Sequence, residues 1–97
     1  MFIVLLTLAE NRENAPQFLD EHKAWLRRGF TDGVFLVAGG IKPSRGGAII
    51  AHGETMEALT ARVAQDPFVI EKVAEAEIIE IGPAFADDRL QFLLDED

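Results

Sequence analysis

Phe2-Ile-Val-Leu-Leu-Thr-Leu-Ala9 is an almost unbroken apolar segment near the start of the sequence. It is rich in residues that favour strands, and a continuous apolar run is typical of a strand covered on both faces. No Lys or Arg precedes it, acidic Glu10 follows it, and it is too short to span a bilayer. We therefore interpret this segment as a central strand of a sheet, and we expect a cytoplasmic protein that does not engage a membrane.

The segments that follow this strand alternate between helix and strand signals. Asn14 and Pro16 mark the start of a helix, and Gly29 marks its predicted end. Thr55 is a capping residue for a second helix that reaches about residue 65. The remaining predicted elements are a strand at 33–38, a loop at 39–45, a strand at 46–52, a helical turn from Asp66 to about residue 73, and a strand at 76–81.

The resulting order of elements is strand, helix, strand, strand, helix, strand. With right-handed crossovers in each half, this order produces a four-stranded antiparallel sheet that carries both helices on one face. The predicted fold class is therefore α+β, a ferredoxin-like βαββαβ domain. We assign residues 1–83 to this domain and residues 84–97 to an acidic C-terminal extension.

The face of the sheet without helices is also predicted to be apolar. Successive residues of the first strand, such as Val4 and Leu5, are both apolar, and so are Leu36 and Val37 of the second strand. A lone domain would leave one of these faces in water. We expect a second copy to cover it, which gives a homodimer or a higher oligomer. The alternative is that residues 84–97 fold over this face as a covering arm, a short helix or an exchanged element.

The amino-acid composition limits the classes of molecule that we expect this protein to bind. The chain has 97 residues, of which 48% are hydrophobic and 27% charged, as in one ordinary folded domain. The formal net charge of −8 disfavours binding to the phosphate backbone of nucleic acids. The absence of cysteine excludes disulfides, thiolate metal sites and cysteine nucleophiles. We expect a small-molecule substrate and no nucleic acid partner.

His22 and Asp66 are the strongest candidates for chemistry. His22 lies on the apolar stripe of the first helix, four residues after Phe18 and three before Trp25. A histidine at such a position is more often a core residue satisfied by one hydrogen bond. Asp66 precedes Pro67 and is by itself a capping residue. The functional hypothesis is that the two helices pack side by side on the sheet and that the carboxylate then meets the imidazole to form an acid/base dyad.

The other polar candidates carry weaker signals. His52 lies at the end of a strand beside Gly53, and we give it no role. Two distant histidines do not make a metal site, so no metal is predicted. Lys42, Ser44 and Arg45 form a basic cluster in the 39–45 loop that suits an anion or a carboxylate, although a solvated hairpin explains it equally well.

Several motifs resemble those of the YciI-like (YCII-related) family, which is similar in fold to the dimeric α/β barrel superfamily. The resemblance reaches nearly to Pro83 and is carried by Met1-Phe-Ile-Val-Leu-Leu6, residues 22–26, Arg28-Gly29, Asp32-Gly-Val-Phe-Leu36, Gly46-Gly47, Asp66-Pro-Phe68 and residues 74–81. It implies a dimer with a pocket between sheet and helices, and an active site built on a histidine and an aspartate. By motif these are His22 and Asp66. Where the family often has Ser-Gly-Pro, this chain has Ala38-Gly39-Gly40, which lacks the hydroxyl and the proline.

The leading hypothesis from the sequence is an isomerase or lyase that transfers protons on a small organic molecule without a cofactor. His22 would be the acid/base and Asp66 its orienting partner. The substrate-binding residues that we expect are Trp25, Phe35, Ser44, Arg45 and Phe68. One alternative is a non-catalytic metabolite-binding or accessory module that uses the same pocket. Haem binding, or oxygen chemistry without a cofactor, rests on fold analogy alone.

Overall fold

The structure, a computed structural model, describes residues 1–95. Within these residues the strands are β1 (Phe2–Leu8), β2 (Phe35–Gly40), β3 (Gly46–Ala51) and β4 (Ala74–Glu80). The α-helices are α1 (Ala15–Thr31), α2 (Met56–Val63) and α3 (Pro67–Ile70), with 3-10 turns at Arg12–Asn14 and Asp88–Asp95. None of the helices in this described range has both the length and the apolar character needed to cross a membrane.

The strands form one antiparallel sheet in the order β2-β3-β1-β4. Strand β1 is paired on both sides, with Val4 opposite Ile49 of β3 and Ile78 of β4. The predicted interior position of the first strand is therefore confirmed. This position accounts for its continuous apolar sequence, because successive residues such as Val4 and Leu5 point to opposite faces of the sheet and each has a neighbouring strand on both sides.

The core lies between the sheet and helices α1 and α2. Val4, Ile49 and Leu59 are almost completely buried there, and Val63 of α2 and Trp25 of α1 pack with them. Complete burial of one such aliphatic side chain contributes about 1.5–3 kcal/mol to folding. This shared core fixes α1 and α2 on the same face of the sheet.

Helix α1 continues past its predicted end at Gly29 and stops at Thr31. Gly29 does not end the helix but provides space for a neighbour, because a Cβ atom there would lie only 2.1 Å from a ring carbon of Phe35. The chain turns instead at Gly33, whose φ of 76° lies in the left-handed region that suits glycine. The prediction that Gly29 is the stop signal was therefore wrong.

Other predicted boundaries shift by a few residues. Strand β2 begins at Phe35, two residues after the predicted Gly33, and β4 begins at Ala74, two residues before the predicted start. Asn14 occupies the N-cap position of α1, but its side chain makes no capping hydrogen bond. Thr55 does cap α2, since its hydroxyl accepts a hydrogen bond from the Ala58 amide at 3.1 Å.

The sheet face opposite the helices, here called the open face, carries apolar residues as predicted. Val37 of β2 and Ile79 of β4 are 56% and 39% exposed, and Ile3 and Ile50 of the two central strands are half-buried. Residues 84–95 leave both exposed side chains uncovered. The extension instead buries Leu93 and places its Phe92 ring 5.3 Å from the ring of His52. Residues 96 and 97 of the predicted extension lie outside the described range.

Candidate functional site

His22 and Asp66 are in direct contact. The imidazole Nδ1 of His22 lies 2.7 Å from Oδ1 of Asp66. The Asp66 side chain is fully buried, whereas 12% of the His22 side chain remains exposed. The pair therefore has an inner member that is shielded from water and an outer member that an external molecule can reach.

The local sequence explains how Asp66 reaches this position. Asp66 is the N-cap of α3, and its Oδ1 accepts a hydrogen bond from the Phe68 amide at 3.0 Å. The same oxygen thus caps the helix and binds the imidazole, so the expected capping and pairing occur together. Its second oxygen, Oδ2, is buried and makes no hydrogen bond to any described residue.

Aromatic rings hold the imidazole from the sides. The Phe68 ring lies parallel to the His22 ring, with centroids 4.0 Å apart, and the Trp25 ring is stacked at 5.9 Å. Together with the bond to Asp66, these contacts restrict both torsions of the histidine side chain. The imidazole is therefore held in one orientation before any ligand arrives.

The hydrogen bond to Asp66 decides which ring nitrogen of His22 is available. An ionised carboxylate accepts hydrogen bonds but cannot donate them, so Nδ1 carries the hydrogen that it shares with Asp66. This arrangement leaves Nε2 as the nitrogen that can take up or release a proton. An imidazole positioned in this way can act as a general base and, once protonated, as a general acid.

His22 lines a cavity of about 440 Å³, here called the His22 cavity, between the sheet and α1. This volume is at the lower end of the range of about 300–1,000 Å³ that is usual for small-molecule sites. Leucines and other apolar residues make up most of its wall, with contributions from Leu6, Leu8, Leu19, Leu26, Ile49 and Phe68. Leu19, which borders this cavity, is 39% exposed.

Glycines form the part of the wall where β2 and β3 meet. Residues 39, 40, 46 and 47 are all glycine, and all four border the His22 cavity. Gly46 is required by the backbone, since its φ is 119° and a Cβ atom there would lie 2.0 Å from the carbonyl oxygen of Leu6. None of these glycines was among the substrate-binding residues predicted from the sequence. The signal that could have identified them is the pair of Gly-Gly steps on either side of the hairpin loop.

The other predicted binding residues divide into two groups. Ser44 and Phe68 border the His22 cavity. Trp25 and Phe35 do not, because they are 4% and 3% exposed in the core and pack edge to face with ring centroids 5.2 Å apart. Arg45 is exposed in the hairpin loop and is not part of the wall. Trp25 and Phe35 therefore do not line this cavity as expected, because helix α1 turns Trp25 towards the ring of Phe35 under Gly29. The expected contact of Arg45 with an anionic group of a substrate stays a prediction.

Trp25 has a structural partner on the neighbouring helix. Its indole N–H donates a hydrogen bond of 3.0 Å to the backbone carbonyl of Arg62 in α2. The Arg62 guanidinium in turn donates to Glu54 at 2.8 Å and to Asp32 at 3.0 Å. The hydrogen bond to Glu54 is the main reason that the pKa of Arg62 is raised above its ordinary value. These contacts fix α1 against α2 and so fix the position of His22.

His52, which was expected to be an exposed turn residue, is half-buried beside Phe92 and is not part of the cavity wall. Within residues 1–95, no group of three or more histidine, aspartate or glutamate side chains is arranged to hold a metal ion.

Comparison with known proteins shows a likeness in fold. No family model and no curated protein sequence matches this chain. Among solved structures, the chain is similar to 5-chloro-2-hydroxyhydroquinone dehydrochlorinase from Burkholderia phenoliruptrix AC1100, determined in complex with 2,5-dihydroxybenzoquinone. The TM-score is 0.67 at 15% sequence identity, over 84% of this chain and 93% of that chain. The likeness confirms the predicted fold class, a ferredoxin-like α+β domain built on a four-stranded antiparallel sheet.

Proposed function

We propose that this protein is an enzyme that transfers a proton on a small molecule, with His22 as the acid/base and Asp66 as its orienting partner. The observation that carries this proposal is that the two ring nitrogens of His22 have different environments. Nδ1 is tied to a fully buried carboxylate, while the ring borders a cavity large enough for a small substrate.

The proposed mechanism has two proton steps. Nε2 of His22 takes a proton from a C–H or O–H group of the substrate, and the resulting imidazolium is stabilised by the Asp66 carboxylate. The imidazolium then returns the proton to a different atom of the substrate, which is isomerisation, or to a leaving group, which is elimination. The scheme needs no metal, cofactor or covalent intermediate. The fold neighbour is a dehydrochlorinase, and this name supports the elimination version.

We also propose a family, an oligomeric state and a cellular location for this enzyme. The motifs around His22 and Asp66 support membership of the YciI-like family. The exposed apolar side chains of the open face support a homodimer in which two sheets pack against each other. A cytoplasmic location is consistent with a chain that has no cysteine.

A binding module without catalysis is the second candidate. The observation in its favour is that Asp66 Oδ1 also caps α3, so the carboxylate has a structural use even without a reaction. The two candidates differ in whether the bound molecule is changed. A ligand raises the melting temperature in either case, whereas only an enzyme consumes it.

Proton transfer can be tested before the natural substrate is known. Purified protein in D₂O is mixed with a panel of small cyclic ketones and lactones, and NMR measures the exchange of their acidic C–H groups. We expect wild-type protein to accelerate exchange in at least one compound. His22→Ala and Asp66→Asn should each reduce the rate by about 10²-fold or more. His52→Gln is the matched control, because it changes the other histidine, which lies outside the cavity wall.

Equal exchange rates in wild-type protein and His22→Ala would contradict the proposed role of His22. Thermal stabilisation by a compound that is neither exchanged nor converted would favour the binding module.

A further inference from the structure

In the described part of the chain, the wall of the His22 cavity has one ionisable side chain, the imidazole of His22. Among the described residues that border it there is no Lys, Arg, Asp or Glu, and the polar side chains are those of His22 and Ser44. Lys42 and Arg45, the basic residues of the adjacent hairpin loop, are exposed and do not form part of the wall. A ligand in this cavity therefore meets one imidazole, one hydroxyl, the peptide groups of the glycines and a mainly apolar surface.

An anionic ligand would lose solvation in this cavity without gaining an ion pair with a Lys or Arg side chain. Burial of a carboxylate is unfavourable unless a cation or several hydrogen-bond donors replace the lost water. The Asp66 carboxylate, directly behind the imidazole, would repel a ligand carboxylate, and so would the net charge of −8. These three effects all favour an uncharged ligand.

Gly40 leaves space in the cavity that the fold does not require. It pairs with Gly47 and lies on the same side of β2 as Ala38, which pairs with the buried Ile49. A Cβ atom at position 40 would meet nothing nearer than the Gly46 carbonyl oxygen at 3.8 Å, which is ordinary contact. Gly40 also does not have the positive φ that makes a side chain unfavourable at Gly46. The backbone thus tolerates a side chain at position 40, and that side chain would project into the His22 cavity.

We propose that the His22 cavity binds an uncharged, mainly apolar molecule that fits within about 440 Å³ and has one polar group for His22, and that Gly40 sets the space available to it. This inference rests on the proposed function for the identity of the site, and it adds the substrate class and a specificity-determining residue.

The charge preference is tested with 4-methylphenol and 4-hydroxybenzoate. 4-Methylphenol has a methyl group where 4-hydroxybenzoate has a carboxylate, and each carries one hydroxyl for His22. Binding is measured by titration of ¹⁵N-labelled full-length protein, following the amide signals of residues 22, 40 and 47. We expect 4-methylphenol to shift these signals and to bind at least about tenfold more tightly than 4-hydroxybenzoate, because of the uncompensated desolvation of the carboxylate.

The role of Gly40 is tested in the same titration. Gly40→Val should weaken the binding of 4-methylphenol by at least about tenfold while the melting temperature stays near that of wild-type protein, since valine favours strands. Gly82→Val is the control, because a Cβ atom there meets nothing within 4 Å and position 82 lies outside the cavity wall. It should bind 4-methylphenol like wild-type protein.

Equal or tighter binding of 4-hydroxybenzoate overturns the proposed class of ligand, and so does the failure of both probes to bind. Unchanged binding by a folded Gly40→Val variant overturns the role of Gly40. These results are separate from those of the exchange assay, because the titration measures binding alone. The His22→Ala variant should lose proton exchange and also the hydrogen bond from His22 to the probe. If the charge inference is right, this variant should still bind 4-methylphenol more tightly than 4-hydroxybenzoate.

Discussion

Phe68 contacts both members of the His22–Asp66 pair. Its ring lies parallel to the imidazole, with an angle of 4° between the planes, and its backbone N–H donates to the same Asp66 oxygen that binds His22. A single residue thus supports the histidine through its side chain and the aspartate through its main chain. We infer that Phe68 is a positioning residue for the imidazole.

Phe68→Leu tests this positioning role. Leucine keeps the backbone hydrogen bond to Asp66 but removes the flat ring that restrains the imidazole. We expect kcat to fall by about tenfold with little change in KM, since a misoriented base affects proton transfer more than binding. The free energy of unfolding should fall by about 1–2 kcal/mol in urea titrations. Phe85→Leu, at a side chain that is 96% exposed, is the control and should change neither quantity. A Phe68→Leu variant with wild-type kcat would show that the stacked ring is dispensable.

Gly29→Ala tests the close packing of α1 on the sheet. In an exposed helix this substitution stabilises by about 1 kcal/mol, because alanine has the higher helix propensity. Here the added methyl group would overlap the Phe35 ring, so we expect the opposite sign and a loss of about 1–3 kcal/mol in urea unfolding. Gly82→Ala, where a Cβ atom meets nothing within 4 Å, should change stability by less than about 0.5 kcal/mol.

The double variant Gly29→Ala/Phe35→Leu provides a further check on the same contact. It should lose less than the sum of the two single losses, because the smaller side chain at position 35 makes room for the methyl group. If the stability losses of the two single variants simply add in the double variant, the overlap between the methyl group added at position 29 and the side chain at position 35 is not relieved by the smaller side chain.

Val37→Lys tests the proposed dimer. Val37 is 56% exposed on the open face, so a lysine there can reach water in a monomer but would be forced against apolar surface between two packed sheets. We expect wild-type protein to sediment as a dimer and Val37→Lys as a monomer with its fold intact by circular dichroism. Ile70→Lys is the matched control, because Ile70 is 57% exposed on the helix side of the sheet. A monomeric wild-type protein, or equal effects of the two variants, would argue against pairing through the open face.

The sequence was sufficient for the order of the elements and for the identity of the central strand. The local signals were the continuous apolar sequence of residues 2–8, the Thr55 cap and the Asp66-Pro67 pair. Each of these signals depends only on residues that are close together in the sequence. Helical periodicity also placed His22 on the inner side of α1. These local predictions hold in the folded protein because tertiary packing and local conformational preference favour the same structure at these positions.

Only the tertiary structure decided which residues border the cavity and which fill the core. Gly29 resembles a helix stop in the sequence, but the Phe35 ring that covers it comes from a strand across the turn. Trp25 and Phe35 are large aromatic residues suited to a pocket, but they pack against each other, while Gly40 and Gly47 of the hairpin form the wall instead. Local sequence specifies backbone conformation and the direction of a side chain on its own element. The distance between elements depends on the combined volumes of side chains that are remote in sequence, and this distance determines where space is left for a ligand.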